Sequence, residues 1–386
     1  IQQDVARCLC SITSNAENQV GVFGPDEMRA LFHLANSDEE NCARDACIAI
    51  GNVAVIAKNQ LSIAKLGGLP PLIKQLGSEF VSCQQYACRA LYRLAAHVDN
   101  QPRIVDAGGL VGLIELCKSK STETAAMTLT NLGTSGINQV HIVKQGGLLP
   151  LIELTKSENP DCNRYAGMAL CNLAVNRQNR RAMVDAGSGG LQAAILLMKD
   201  DDADVKKYSA IALCNMANNP NTQSQAVVHG CLPPLLVLAN SSDPDCQRHS
   251  LMCLSTLAAN ESNHSMMMHK GVLKTVIERS QSNNVHSQCL ALSALRRLAN
   301  FPDNRGRLVR AGILKPLASA GNSTELEIQR EVAACLCSLS LSEDDRVEIA
   351  KHCVVSLVFL AQSGDVEAAR QSVGSLANLG EDIETH

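Results

Sequence analysis

Three columns of side chains recur through this 386-residue chain, each with its own chemistry. Their spacing is roughly 40 residues, the step from Asn131 to Asn172. The first column reads Asn52, Arg93, Asn131, Asn172, Asn215, Thr256, Arg297, Ser338 and Asn378. A carboxamide offers both a donor and an acceptor to a peptide group, so a ladder of them reads backbone rather than sequence. Four residues earlier stand Ile48, Arg89, Met127, Met168, Ile211, Met252, Ser293, Ala334 and Gly374. Eight residues earlier stand Arg44, Gln85, Glu123, Arg164, Lys207, Arg248, Cys289, Arg330 and Arg370, mostly basic in a chain of net charge −4. With Arg89, Arg93, Arg296 and Arg297 they form a basic stripe. Such a stripe would attract an acidic extended or helical segment, chiefly by steering its approach. The competing reading pairs these cations with acidic residues of neighbouring units, a weak surface contribution.

Other candidate chemistry is thinner. His264-Ser265-Met266-Met267-Met268-His269 offers nitrogen and thioether sulfur to a soft metal. It stands where other units carry NRRAMVDA or QPRIVDA, which places its methionines in a helix core. Asp200–Asp202 with Asp204 lacks the twelve-residue frame of a calcium loop, with its internal Gly and closing Glu. It reads as a solvated inter-helix loop. The chain has no Gly-rich phosphate loop, no nucleophile elbow and no Cys–His pair at a meaningful spacing. The sequence therefore predicts no catalytic residue, no metal and no cofactor.

The columns need an element to carry them. In Gly146–Ala186, apolar Ala166, Ala169, Leu170 and Leu173 keep the i, i+3, i+4, i+7 spacing of one helix face. Arg164, Met168 and Asn172 share the exposed face between them. Asn159 before Pro160 predicts an N-cap with Pro in the first turn. Gly146-Gly147 predicts a sharp reversal between two shorter helices. This unit of a long helix, a short helix, a glycine turn and a medium helix repeats from Gly24, Gly67, Gly108, Gly146, Gly187, Gly230, Gly271 and Gly312, with Cys353 in place of the last glycine. A second signature keeps the same phase, from AIGNVA ending at Ala54 through ALCNLA at Ala174 to SLANLG at Gly380.

The glycine turn, GGLPPLIKQL from Gly67, GCLPPLLVLA from Gly230 and the ALCNLA and ALCNMA segments resemble the armadillo-repeat family, over essentially the whole chain. Among its branches the closest likeness is to the catenin and vacuolar armadillo adaptors. The resemblance implies an all-α, right-handed superhelical solenoid of about nine three-helix repeats, with long third helices lining a concave groove for partner proteins. It also implies that the Asn column hydrogen-bonds an extended ligand. Departures at Arg93, Thr256, Arg297 and Ser338 break a continuous ladder beyond Asn215. The middle column lacks the Trp residues of the nuclear-import adaptors, which argues against a basic nuclear-localisation signal as ligand. The expected partner-binding residues are Arg44, Asn52, Arg89, Arg93, Asn131, Arg164, Asn172, Lys207, Asn215, Arg248, Arg297, Arg330 and Asn378.

Composition agrees with stacked helices. Aromatics are 2% and Trp is absent, against strands. A solenoid lets a chain this long stay one domain, because each unit packs only on its neighbours. Residues 1–23 read as a partial repeat and 24–386 as the solenoid, with order ending near Glu381-Asp382-Ile383-Glu384-Thr385-His386. The piece reads as part of a larger protein. Cys42, Cys83, Cys162 and Cys246 keep the repeat phase, as do Cys171, Cys214 and Cys337, so they read as small packing residues in a reducing compartment. No signal peptide is visible, and no apolar run nears the roughly 20 residues of a membrane span. No basic tail suggests nucleic acid. The expected function is a non-enzymatic, cytoplasmic scaffold or adaptor holding an acidic or extended partner segment, in the cytosol, on the cytoskeleton or in the nucleus. Alternatives are a structural subunit of a large cytoskeletal or axonemal assembly, and the substrate-binding region of a larger ubiquitin ligase.

Overall fold

The computed structural model describes residues 1–21, 24–119, 122–185, 189–269 and 271–381. Among them are 27 α-helices, two 3-10 turns and no strand. The chain divides into two compact units, Ile1–Ala193 and Ala194–His386.

In the first unit the helices Gln2–Thr13, Glu40–Val53, Val81–Ala95, Thr122–Leu132 and Pro160–Val175 stack one on the next. These are the third helices of successive repeats. In the second unit the same stack runs through Ala203–Met216, Pro244–Ala258, Val285–Ala299, Leu326–Leu339 and Val366–Gly380. Shorter first and second helices pack in columns of their own, as Ala57–Lys65 does on Asn100–Asp106 and Leu69–Leu76 on Gly109–Leu116.

The third helix Pro160–Val175 shows why these segments form. Ala166, Ala169, Leu170 and Leu173 are each at most 1% exposed. The Asn159 side chain accepts from the Asp161 N–H at 2.9 Å, with Pro160 in the first turn. Asp202 caps Ala203–Met216 in the same way, accepting from Asp204 and Val205. The acidic run at Asp200–Asp202 is therefore a helix start as well as a loop, each cap contributing about 1 kcal/mol.

Gly146 turns the chain with φ of 84°, a region side chains avoid. Gly147 has a different constraint: an added Cβ would lie 2.8 Å from Ile142 Cγ2 and 3.0 Å from its carbonyl oxygen. The left-handed turn recurs at Gly67, Gly108, Gly189, Gly230, Gly271 and Gly312. Two expected turn positions need correction and one lies elsewhere. Gly24 is extended, φ −76° and ψ 179°, and precedes Pro25 as the N-cap of Pro25–Ala35. Cys353 sits inside the continuous helix Arg346–Ala361. Without a glycine the reversal is lost, and first and second helices fuse, so the last repeat has two helices. Gly187 lies outside the described residues; the turn there is made at Gly189. Residues 382–386, where order was expected to end, also lie outside them.

Thirteen of the 17 cysteines are buried, in keeping with a packing role. Burial pushes Cys88 and Cys171 up to about 12, so they stay thiols. Cys8 departs from that role and is exposed. Of the three methionines expected in a helix core, Met267 is fully buried, Met268 half-buried and Met266 exposed. The six-residue helix His264–His269 has a single inward face, so only part of the run can be core.

A line of buried polar side chains runs beside this apolar core. Asn100 donates to Leu94 O at 3.0 Å and to Gln60 O, one repeat earlier, at 2.9 Å. Asn179 does the same to Leu173 O at 3.2 Å and Gln139 O at 2.9 Å. The residue that follows reaches the next carbonyl: Gln101 to Ala95 O, Arg180 to Ala174 O, Gln223 to Ala217 O and Arg305 to Ala299 O. Carbonyls at a helix C-terminus have no partner within the helix. Here the first turn of the following helix supplies it.

Candidate functional site

The third helices carry the three columns, and neighbouring repeats determine what each side chain can still do. Asn172 donates through Nδ2 to Thr130 O, one repeat earlier, at 3.1 Å. Asn131 reaches Tyr92 O at 3.4 Å, Asn52 reaches Thr13 Oγ1 at 3.4 Å and Asn378 reaches Ser340 Oγ at 3.0 Å. Where the column changes type the contact persists: Arg93 Nη1 donates to Gly51 O at 2.6 Å, and Arg297 Nη1 to Ser255 O at 3.3 Å. Asn215 is half-buried and has no side-chain partner among the described residues. At these positions other than Asn215 the column staples a third helix to the repeat before it, whereas Thr256 donates within its own helix, to Met252 O. Each stapled carboxamide keeps its Oδ1 and one N–H for other partners.

The basic column meets carboxylates. Arg44 places Nε and Nη2 on Asp45 Oδ1 at 3.0 and 2.8 Å, and that hydrogen bond raises the Arg44 pKa. Lys207 lies 2.6 Å from Asp204 Oδ1, and Arg248 lies 3.6 Å from Asp245. Arg330 reaches the cap residue Asp365 at 2.5 Å, and Arg370 pairs with Glu367 through Nε and Nη2 at 3.0 and 2.6 Å. Arg164 is half-buried beside Tyr165. Pairing on this scale lowers the positive field of the stripe without consuming every N–H. Arg89 differs: it is exposed, with no carboxylate at bridging distance among the described residues. Burial, and then the charge of Arg89, lower the Arg93 pKa. Between the outer columns Ile48, Met127 and Met168 in the first unit, and Ile211 and Met252 in the second, form half-buried apolar steps.

His264 is 5% exposed, with Nε2 at 2.8 Å from Ala258 O and Nδ1 at 2.8 Å from Asn304 Nδ2. Both ring nitrogens are thus engaged by protein. Among the described residues no cluster of three or more His, Cys, Asp and Glu could hold a metal ion. No helix of the described residues is long and apolar enough to cross a membrane.

Residues 57–96 match the family model for the Armadillo/beta-catenin-like repeat. They span one first helix, the Gly67 turn, the second helix Leu69–Leu76 and the third helix Val81–Ala95. Among solved structures, an engineered protein matches with a TM-score of 0.86 at 27% identity, covering 98% of this chain and 95% of its own. A designed armadillo repeat protein matches at 0.56 and 21% identity, over 60% of this chain and 99% of its own. The chain has the fold of an armadillo-repeat solenoid. A further designed armadillo repeat protein, solved in complex with the peptide (KR)4, matches at 0.55 and 20% identity, over 60% of this chain and 99% of its own. No curated protein matches.

The expected site residues fall on one face of the third helices within each unit. Sequence reasoning missed the polar line behind that face. Its signal was present as consecutive pairs in phase with the repeat: Asn59-Gln60, Asn100-Gln101, Asn138-Gln139, Asn179-Arg180, Asn263-His264 and Asn304-Arg305. Also missed were two cavities. One of 320 Å³ lies among Ser37, Asp38, Lys74 and Phe80 at the loops before third helices. The other, of 250 Å³, lies between third helices of the second unit and includes Arg296, Ser338 and Arg370.

Proposed function

We propose that this chain is a non-enzymatic scaffold or adaptor of the cytoplasm that holds an extended partner segment bearing acidic side chains along its third helices. The observation that carries the reading is the stapled column. Its carboxamides are fixed by contacts such as Asn172 to Thr130 O, yet retain hydrogen-bonding capacity at repeat spacing. A preformed ladder loses little conformational freedom on binding. The designed relative bound to (KR)4 supports extended-peptide binding by this fold. Charge preference is the point of difference: here Trp is absent, and Arg89 and Arg93 stand one turn apart on Val81–Ala95. Those features favour an acidic segment.

The test is fluorescence polarisation with (KR)4 and with its counterpart carrying Asp and Glu. The acidic peptide binds more tightly, loses affinity with added salt, and loses it again in Arg89→Glu. Equal or tighter binding of (KR)4 overturns the charge preference. A second reading, a structural subunit of a larger assembly, is favoured by exposed Val111 and Leu149, which occupy the same register on successive second helices at 61% and 57% exposure. Under that reading, Val111→Ser disrupts assembly and Arg89→Glu does not.

A further inference from the structure

The 250 Å³ cavity of the second unit has an identifiable origin in the sequence. Along the middle column, Met252 is followed by Ser293, Ala334 and Gly374. The side chain that fills this step elsewhere dwindles to a methyl group and then to nothing. A Cβ added at Gly374 would meet no atom within 4 Å, so the space is open at that point. In the ladder column Ser338 replaces Asn, which shortens a second wall.

The walls are rich in donors. Arg296 uses Nε on Glu331 at 2.6 Å, and among the described residues its remaining N–H groups have no other partner. Arg370 uses Nε and Nη2 on Glu367, leaving Nη1. Ser338 Oγ lies 3.0 Å from Asn300 Oδ1, so the Asn300 amide nitrogen remains to donate. Both arginines line the cavity, whereas Glu331 and Glu367 do not. The carboxylates fix the guanidinium groups from outside the space, so little side-chain freedom is left to lose when a ligand binds. Pockets for whole small molecules run from about 300 Å³ upward. This one suits a single side chain.

We infer that this cavity is an anion subsite, which takes one carboxylate or phosphoryl group from an extended peptide lying on the third helices. The inference rests on the peptide-binding reading above and adds a position to it. Guanidinium groups from two helices and one amide nitrogen converge on a space with no lining carboxylate. That arrangement matches a group with several acceptor oxygens and rejects a cation.

The test uses the whole chain and short neutral peptides with one central Glu, phosphoserine or Gln. Comparing Glu with phosphoserine shows which oxyanion the site prefers. The variants are Gly374→Leu, which fills the space, and Arg370→Gln, at an exposed position. Gly374→Leu lowers affinity for the better anionic peptide by about tenfold, Arg370→Gln by about threefold, and neither changes binding of the Gln peptide by more than about twofold. Cys337 lines the cavity, so the bound anionic peptide slows its alkylation by iodoacetamide while exposed Cys8 reacts at an unchanged rate. If Arg89→Glu weakens the anionic peptide while Gly374→Leu leaves it unchanged and Cys337 unprotected, the subsite is wrong and the scaffold reading stands. Binding of none of the peptides overturns both.

Discussion

Asn304 donates from Nδ2 to His264 Nδ1 at 2.8 Å, joining two first-helix starts forty residues apart. The far nitrogen of the ring lies 2.8 Å from Ala258 O, a pure acceptor. Nε2 therefore carries the proton, and Nδ1 is the acceptor that Asn304 needs. Phe301 meets the imidazole edge to face at 4.4 Å. Other repeats place Gln at this position, as at Gln60, Gln101 and Gln223, with the same contact to a carbonyl six residues back. His264→Gln should thus stay within about 1 kcal/mol of the native stability, whereas His264→Leu, which leaves the Ala258 carbonyl unpaired, costs about 1–3 kcal/mol. Urea midpoints at matched slope measure both. A Leu variant as stable as the Gln variant would remove the polar line from the list of stabilising features.

Asn138 is the weak link of that line. It is 1% exposed, yet neither polar atom of its side chain has a partner among the described residues. Asn179, 2% exposed, makes two hydrogen bonds. Asn138→Leu is expected to be neutral or stabilising, and Asn179→Leu to cost about 1–3 kcal/mol, because only the second strands buried acceptors. Thermal unfolding of the pair checks the contrast. Equal losses at both sites would mean that Asn138 is satisfied in solution.

Two glycines respond in opposite directions to an added methyl group. At Gly147 it would sit 2.8 Å from Ile142 Cγ2 and 3.0 Å from the Ile142 carbonyl. At Gly374, inside Val366–Gly380, it meets nothing within 4 Å. Gly147→Ala destabilises by about 1–3 kcal/mol through overpacking. Gly374→Ala stabilises by about 0.5–1 kcal/mol through helix propensity. Denaturant titration reads both signs, and loss of stability at Gly374 would contradict the open geometry there.

Acid should weaken the second unit through His249. Burial, and then the Arg248 guanidinium, hold its pKa below the usual histidine range. The native state therefore resists a proton that the unfolded chain accepts. The resulting stability is fully present above the unfolded value of about 6.5 and is lost as pH falls through the lower folded value. His249→Gln should lose less stability than the native protein between about pH 7.5 and pH 5. Identical pH profiles would show that other groups carry the acid sensitivity.

Much of the fold was legible because its determinants are local. The Ala166, Ala169, Leu170, Leu173 face and the Asn159 cap depend on residues within one helix, and both stand in the structure as the spacing predicts. Gly24 and Cys353 were misread because phase alone was followed. Gly24 is an extended cap, and a repeat without its glycine keeps helical phase through Cys353. The half-commitment of the site residues was harder to see. That Asn172 reaches Thr130 O depends on which carbonyl the stacking brings alongside, forty-two residues away in sequence. Some of the pairing was nonetheless readable, since Asp204 with Lys207, Asp245 with Arg248 and Glu367 with Arg370 are i, i+3 partners. Counting basic residues along the column overlooked them.

The contacts that bind one repeat to the next span a nearly constant stretch of chain, forty residues from Asn100 to Gln60 and forty again from Asn179 to Gln139. Sequence separation therefore does not grow as repeats are added, and loop-closure entropy stays that of a small helical protein. During synthesis, each repeat can close on its predecessor as soon as its own Asn has left the ribosome, without waiting for distant sequence. The nascent chain would gain structure one step at a time from its N-terminal side, and a stalled ribosome would carry whole repeats already closed.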